Sequence, residues 1–274
     1  MMDLQLQALP EGCIANILSR TTPEDACRLS LVSKTFYSAS LSDAVWGSFL
    51  PHDYLSIISR SDSGSSLLSN SPSLKSLYLA LSDRPIIIDN ATKSFQLDRK
   101  SGKKCFMLAS RALSIVWGDT PQYWNWKTLP ESRFPEVAEL LDVCYLEICG
   151  AINPNDLSPN TQYAAYLVFK MVNGHGFNRR PVELSIHTFD DQMCTRSVCL
   201  DTNLDESQLH SSLHGLQHPD VRSDGWLEIE IGEFFNSGLE DDEVGMNIEE
   251  TKGGHWKRGL VIEGIEVRPK VFDL

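Results

Sequence analysis

The chain has 274 residues and a formal net charge of -13, with 37 acidic side chains against 24 basic ones. That balance excludes bulk electrostatic binding to nucleic acid or to an anionic membrane, and no apolar run approaches the roughly 18–20 residues that span a bilayer. Hydrophobic content is 42%, ordinary for a globular chain of one or two domains.

The opening residues, MMDLQLQALPEGC, have no basic stretch followed by a long apolar one, so no secretory leader is expected. The seven cysteines then read as free thiols in a reducing compartment, cytoplasmic or nuclear, and not as a disulfide framework. Residues 1–50 read as helical. Ile14, Ile17 and Leu18 share one helical face. Thr22, Pro23 and Asp25 have the order of an N-cap, a first-turn proline and an acidic capping residue. Ala26, Leu29, Leu31 and Val32 follow, and a further segment from Ser42 brings Val45, Trp46 and Phe49 together. So few residues bury little surface. Their apolar surplus covers either a partner or the C-terminal half, and the residues alone leave both open.

Residues 51–85 read as a serine-rich linker with one short helix. The stretch SIISRSDSGSSLLSNSPSLKS (56–76), with Gly64 and Pro72, predicts loop. Leu74, Leu77, Tyr78 and Leu81 have helical spacing. From residue 86 to 274, short alternating runs predict strands. Tyr163, Ala165, Leu167, Phe169 and Met171 share one face of YAAYLVFKMV, and Leu227, Ile229 and Ile231 alternate with Glu228 and Glu230. LDVCYLEIC, VELSIHTF and GLVIEGIEVRPK look similar. RKSGKK (99–104) reads as a hairpin turn of solvated lysines. Many short strands with little helix between them imply an antiparallel sandwich or barrel.

The stretch SIVWGDTPQYWNWK (114–127) holds Trp117, Tyr123, Trp124 and Trp126 around a Gly-Asp-Thr-Pro turn. Rings on a turn are often partly exposed. They line either a ligand site or a core corner under a loop.

Chemistry-bearing clusters are few. Cys144 with Cys149, and Cys194 with Cys199, are five apart, which puts each pair on opposite faces of a strand, so small core thiols are the expectation and not a zinc site. His210, His214 and His218 have i, i+4, i+8 spacing, but Gly215 and Pro219 break any helix there, and a polar loop is expected. No metal or cofactor is expected. No G-x-S-x-G, P-loop or H-E-x-x-H motif is present.

Two resemblances sharpen this reading. Leu9-Pro10, Ile14, Ile17-Leu18, Pro23-Glu24-Asp25, Leu29, Leu31-Val32-Ser33-Lys34 and Trp46 resemble an F-box over about 40 residues, departing from many F-boxes at Ser33 and Phe36. SIVWGDTPQYWNWK, VAELLDVCYLEICGAI, YAAYLVFKMV, RSDGWLEIEIGEFF and GLVIEGIEVRP, in that order, resemble the plant phloem protein 2-type lectins over roughly residues 90–270. The two together imply an α+β multi-domain chain: a short all-α F-box at 1–50, a linker and helix at 51–85, and an all-β, jelly-roll-like lectin sandwich at 86–274. The F-box implies docking on a Skp-type adaptor, and through it on a cullin–RING ubiquitin ligase, by Leu9, Pro10, Ile14, Ile17, Leu18, Leu29, Val32 and Trp46. The lectin resemblance implies binding of chitin oligomers or N-glycans by Trp117 and Trp124 with the carboxylates of Glu243 and Glu250; Trp126 is expected to be structural. A non-catalytic adaptor of a ubiquitin ligase is the function so implied. The alternative is a lectin-like domain that reads a protein surface with no sugar site, and a glycan hydrolase stands third.

Overall fold

The structure, a computed structural model, describes residues 9–188, 194–201, 210–239 and 242–270. They form two compact units. The first holds the described residues up to Asn90 together with Phe95–Cys105; the second holds Ala91–Ser94 and the described residues from Phe106 onward.

The first unit contains helices α1 (Glu11–Leu18), α2 (Pro23–Leu29), α3 (Lys34–Ala39), α4 (Asp43–Phe49), α5 (Tyr54–Ser59), α6 (Gly64–Ser69) and α7 (Leu74–Asp83). Hydroxyl caps start several of them. Thr22 accepts from the Asp25 N–H at 3.1 Å, Ser33 from Phe36 at 3.3 Å and Ser73 from Ser76 at 3.1 Å. Each satisfies an N–H that the helix itself cannot. The core forms around Trp46, which is 1% exposed. Its indole N–H donates to the Ser40 carbonyl at 2.6 Å, and its ring lies 5.7 Å from Phe49 and 5.2 Å from Tyr78 of α7. Leu77, Tyr78 and Leu81 of α7 are buried with it. Part of the apolar surplus of residues 1–50 is therefore covered by α7, within the same unit.

Residues 56–76 are not the loop that their composition predicts. They contain most of α5, all of α6 and the start of α7. Serine satisfies the helix here instead of breaking it: Ser59, Ser69 and Ser71 hydroxyls donate to the carbonyls of Ser56, Ser66 and Leu67. Ile57 and Ile58 are buried beneath.

Strand β1 (Ile86–Ile88) is followed by a hairpin of β2 (Lys93–Leu97) and β3 (Lys104–Ala109). The hairpin straddles the two units, so the compact division does not fall at the expected residue 86. Its tip belongs to the first unit, where Phe95 and Leu97 are buried and the Tyr78 hydroxyl meets the Asp98 and Arg99 carbonyls, both at 3.1 Å. Burial, with Asp98 close by, pushes the Tyr78 phenol above its usual range. Gly102 closes the turn at φ +73°, where a Cβ would lie 2.9 Å from the Phe49 carbonyl oxygen. The turn is present, but its lysines are not all solvated. Lys104 is buried, with its ammonium 2.8 Å from Asp53.

The second unit is an antiparallel β-sandwich. One sheet contains β3, β14 (Arg258–Pro269), β8 (Thr161–His175), β12 (Leu227–Asn236) and β11 (Asp220–Val221) in that order, with β6 (Val137–Leu140) also on β14 and β5 (Trp124–Lys127) on β6. The other has the order β10 (Cys194–Val198), β9 (Val182–His187), β13 (Val244–Glu250), β7 (Leu146–Ile152) and β4 (Ser114–Ile115). Leu167, Phe169, Ile229, Ile231 and Ile265 of the first sheet and Ile148, Leu184, Ile186, Met246 and Ile248 of the second are buried between them.

Alternation is clean in β7 and β13 but not in β8 or β14. There Ala164, Val168 and Glu263 are buried as well, and the segment 131–134 is tied down beside Glu263. Trp226 donates its indole N–H to Glu131 at 3.3 Å, and Glu263 accepts from the Arg133 N–H at 2.8 Å and the Ser132 hydroxyl at 3.2 Å. The rest of this sheet carries a net of ion pairs. Arg268 meets Glu228 at 2.6 Å and Glu266 at 3.1 Å, Arg222 meets Glu228 at 2.7 Å and Glu266 at 3.0 Å, and Lys270 meets Glu230 at 2.9 Å.

Of the four cysteines expected as core thiols only Cys199 is buried; Cys194 is exposed, and Cys144 and Cys149 are half-buried. Cys199 is buried with Leu213, and His210–His218 form a polar loop with a short 3-10 turn at Ser211–Leu213. Among the described residues no group of three His, Cys, Asp or Glu is arranged for a metal ion.

Glu263 yields a pH prediction. Burial, partly offset by Arg133 and Ser132, pushes its carboxyl up, and its second oxygen is buried without a hydrogen bond. A folded-state value above the unfolded one, about 4.3, means the penalty is absent in acid. It grows as pH rises through the folded value. Glu263→Gln is expected to match the parent chain in acid and to exceed it in stability near neutrality. Urea denaturation across that pH range checks this, and a pH-independent gap would contradict it.

Candidate functional site

The turn between β4 and β5 is held by two tryptophans and presents a third. The Trp124 indole N–H donates to the Val116 carbonyl at 3.2 Å, and the Trp126 indole N–H donates to the Gly118 carbonyl at 2.9 Å. Those carbonyls flank Trp117, which sits at φ +59°, a left-handed conformation that large side chains rarely adopt. Such strain persists only when the surroundings over-determine it. Further bonds from Gly118 N–H to Ile115 and from Thr120 N–H to Trp117, at 2.9 and 2.8 Å, close the turn. Trp117 is 43% exposed. Its ring lies 5.2 Å from Tyr123 and 6.0 Å from Tyr145, tilted by 39° and 59°.

This ring cluster borders the outer face of the sheet that contains β7, β13 and β9. The Val116 N–H bonds the Glu147 carbonyl at 3.1 Å, and the Tyr145 hydroxyl donates to the Glu147 carboxylate at 2.6 Å. Strand register then sets rows of side chains on that face. Glu147, Glu249 and Glu183 stand side by side across β7, β13 and β9, and Cys149, Asn247 and Ser185 form the next row. Asn247 and Ser185 both meet His187 Nε2, at 3.0 and 3.1 Å. The hydrogen bond to Glu147 pushes the Tyr145 phenol up, and burial, with Glu147 and Glu249, pushes the Cys149 thiol up. The face is polar, electronegative and bordered by rings at one end.

Only one of the four residues expected to bind sugar stands in this cluster. Trp124 is 2% exposed, so its ring is core and has no face to offer. Trp126 is half-buried, with the Arg111 guanidinium 3.7 Å above its ring. Glu250 is buried and ion-paired with Lys257, which also donates to the Cys144 and His255 carbonyls at 3.2 and 2.8 Å. Its other oxygen accepts from the Gly253 N–H at 3.0 Å. That carboxylate neutralises a buried lysine and is itself only 6% exposed. Glu243 is exposed but lies at the far end of the sheet. It precedes Val244, which pairs with Ile152, whereas Trp117 adjoins Glu147. The separation along the strands is roughly 20 Å.

The residues that do gather around Trp117 were partly visible in LDVCYLEIC, where Tyr145, Glu147 and Cys149 alternate with buried positions. What joins them to Glu249 and Asn247 is register, which no single strand's pattern reveals.

In the helical unit, the expected adaptor-binding residues divide between core and surface. Ile14, Leu18 and Trp46 are buried; Leu9 and Leu29 are half-buried; Pro10, Ile17 and Val32 are exposed. Leu31 at 86%, Tyr37 at 55% and Leu41 at 45% exposure belong with the last group.

These placements predict opposite outcomes for neighbouring tryptophans. Trp124→Ala should cost the sandwich about 3–5 kcal/mol, from a lost core ring. Trp117→Ala should leave its stability within about 1 kcal/mol, since the ring is largely exposed and little buried surface is lost. Glu250→Ala should cost about 3–5 kcal/mol, by leaving Lys257 buried and unpaired. Chemical denaturation of the three variants checks the order.

Residues 6–47 match the F-box domain family, and residues 103–269 match the phloem protein 2 family. The chain is 44% identical to F-box protein PP2-B10 of Arabidopsis thaliana, over 96% of this chain and 93% of that one. It is 41% identical to F-box protein PP2-B13 of the same plant, over 96% and 99%. Among solved structures, a family 35 carbohydrate binding module from Clostridium thermocellum aligns with a TM-score of 0.32 and 9% identity, covering 60% of this chain and 96% of that one, a likeness too remote to bear on function. With its N-terminal match and its relatives spanning nearly the whole length, the chain belongs to the phloem protein 2 family, among the members that carry an F-box.

Proposed function

We propose that this protein is the substrate-recognition subunit of a Skp–cullin–F-box ubiquitin ligase. Its helical unit docks on a Skp-type adaptor, and its sandwich binds a glycan or glycoprotein target in the cytoplasm or nucleus. The observation that carries the first half is the set of large apolar side chains left outside the helical core. Ile17, Leu31, Val32, Tyr37 and Leu41 are exposed within 25 residues, beyond what α7 covers. Apolar surface of that density marks an interface. The ring cluster at Trp117 carries the second half. A pyranose offers a C–H face to a ring and hydroxyls to nearby polar groups, and Trp117 stands beside Glu147 and the polar rows of the sheet.

The reading is non-catalytic. A glycosidase sets two carboxylates on opposite sides of the scissile bond. Here Glu147 and Glu249 stand side by side on one sheet. The contribution to ubiquitin transfer is proximity, which raises the effective concentration of a target lysine near the conjugating enzyme.

Leu31→Glu with Val32→Glu is expected to abolish co-purification with a Skp-type adaptor while the helical circular-dichroism signal is kept; undiminished co-purification would count against the docking surface. For the sandwich, titration with chitotriose followed by tryptophan fluorescence should saturate with a dissociation constant on the order of 10⁻⁶ to 10⁻³ M. Trp117→Ala should weaken it at least about tenfold, or 1.4 kcal/mol. No saturable response from the folded chain to chitin oligomers or N-glycans would favour a protein-surface target.

A further inference from the structure

A cavity opens where β13 ends beside the start of β9. Its volume is about 300 Å³, room for far more than one water at roughly 30 Å³. Arg180 and Pro181, just before β9, form one part of the lining; Glu249 and Glu250 of β13, with Thr251 after them, form another. The chain itself holds this lining in place. Buried Glu250 pairs with Lys257 and accepts from the Gly253 N–H at 3.0 Å, and Lys257 donates to the His255 carbonyl at 2.8 Å. The turn between Glu250 and Lys257 is thereby fastened at both ends. Lys252 ties the same turn to Glu183 of β9 at 3.0 Å. Gly253 is required there, since a Cβ would lie 2.8 Å from both Arg180 Cδ and Glu250 Oε1.

Those bonds satisfy Glu183, Glu250 and Lys252. Arg180 and Glu249 are left. Among the described residues neither side chain has a hydrogen bond or an ion pair. One supplies only donors and the other only acceptors. A free ammonium would suit Glu249 but be repelled by Arg180, and a carboxylate would suit Arg180 but be repelled by Glu249. A neutral group with an acceptor and a donor on separate atoms suits both. A secondary amide is such a group: its carbonyl accepts from a guanidinium, and its N–H donates to a carboxylate. Pro181 adds an apolar surface for a methyl group on the same amide.

We infer that this cavity reads the N-acetyl group of an amino sugar, with Arg180 on its carbonyl, Glu249 on its N–H and Pro181 against its methyl. The inference rests on the glycan-binding reading and adds to it a specificity site separate from Trp117. The two adjoin the outer face of one sheet: Glu249 stands opposite Glu147, which accepts from the Tyr145 hydroxyl. A sugar with a hydroxyl in place of the acetamido group meets the cavity through a single atom and leaves Arg180 or Glu249 unmatched. Groups left unmatched in this way are how a polar site rejects a close analogue.

Isothermal titration of the full chain compares chitotriose with cellotriose, which has the same backbone with hydroxyls in place of the acetamido groups. Chitotriose is expected to bind at least about tenfold tighter. Arg180→Ala and Glu249→Ala should each cut that preference severalfold, whereas Trp117→Ala should weaken both trimers and leave the preference standing. Circular dichroism checks that the variants fold; should Glu249→Ala fail, Arg180→Ala decides, because Arg180 is exposed and its loss leaves no partner behind. A preference that survives in folded Arg180→Ala overturns the cavity inference and leaves glycan binding intact, as does equal binding of the two trimers by the parent chain. Binding of neither trimer overturns both. An acetyl-lysine peptide offers the same amide on a protein chain. If it binds as tightly as chitotriose and is lost in Arg180→Ala, the sugar source is overturned in favour of an acetylated protein.

Discussion

Two indole N–H groups close on the carbonyls either side of Trp117, and the candidate site follows from that constraint. Without them the backbone at φ +59° would relax, and the exposed ring would be one floppy tryptophan among many surface groups. With them it is fixed against Tyr123 and Tyr145 before any ligand arrives. A side chain that is already ordered loses little entropy on binding. The three tryptophans of this stretch thus divide their labour: Trp124 and Trp126 hold, and Trp117 presents. Their density is explained by the support that one strained, exposed ring requires.

Much of this architecture was legible in the sequence. Alternation marked β7, β9 and β12, because a sheet with one dry face writes period two directly into its residues. The helices of residues 1–50 were legible from apolar spacing and from the Thr22-Pro23-Asp25 cap. Other features were hidden for physical reasons. Serine favours loops on average, yet at Ser59, Ser69 and Ser71 its hydroxyl bonds back to the helix, so composition misread α5 and α6. Lys104 looked like a surface charge, and only its distant partner, Asp53, reveals its burial. The site was half legible. Exposed rings on a turn were foreseen, but which indole faces outward is decided by hydrogen bonds eight residues away. The grouping of Glu147 with Glu249 depends on strand register, which pairs residues about a hundred positions apart in the chain.

The two sheets also treat charge differently. On β12 and β14, acidic and basic side chains are interleaved, and each carboxylate sits against a guanidinium or an ammonium. Burial works against the Arg268 charge, but Glu228 and Glu266 outweigh it and hold the proton more firmly than usual. That face is electrically complete. On the outer face of β7 and β13, Glu147 and Glu249 have no ion pair among the described residues, whereas Glu250, buried at the end of β13, is neutralised by Lys257. In a chain with a net charge of -13, the asymmetry identifies one of two similar surfaces as the one able to attract a counter-charge from outside.

The hairpin of β2 and β3 has a consequence for modularity. Domain boundaries usually fall in exposed linkers that few contacts cross. Here one strand serves two cores: Phe95 and Leu97 complete the helical unit, while Lys93 and Ser94 belong to the sandwich. A break anywhere between Asp83 and Phe106 would strip one core of residues it encloses. The helical and strand-rich parts are therefore not beads that recombination could exchange freely. A descendant that lost its F-box would have to rebuild the hairpin, and a sandwich that acquired a different N-terminal partner would arrive with the tip of the old one still attached.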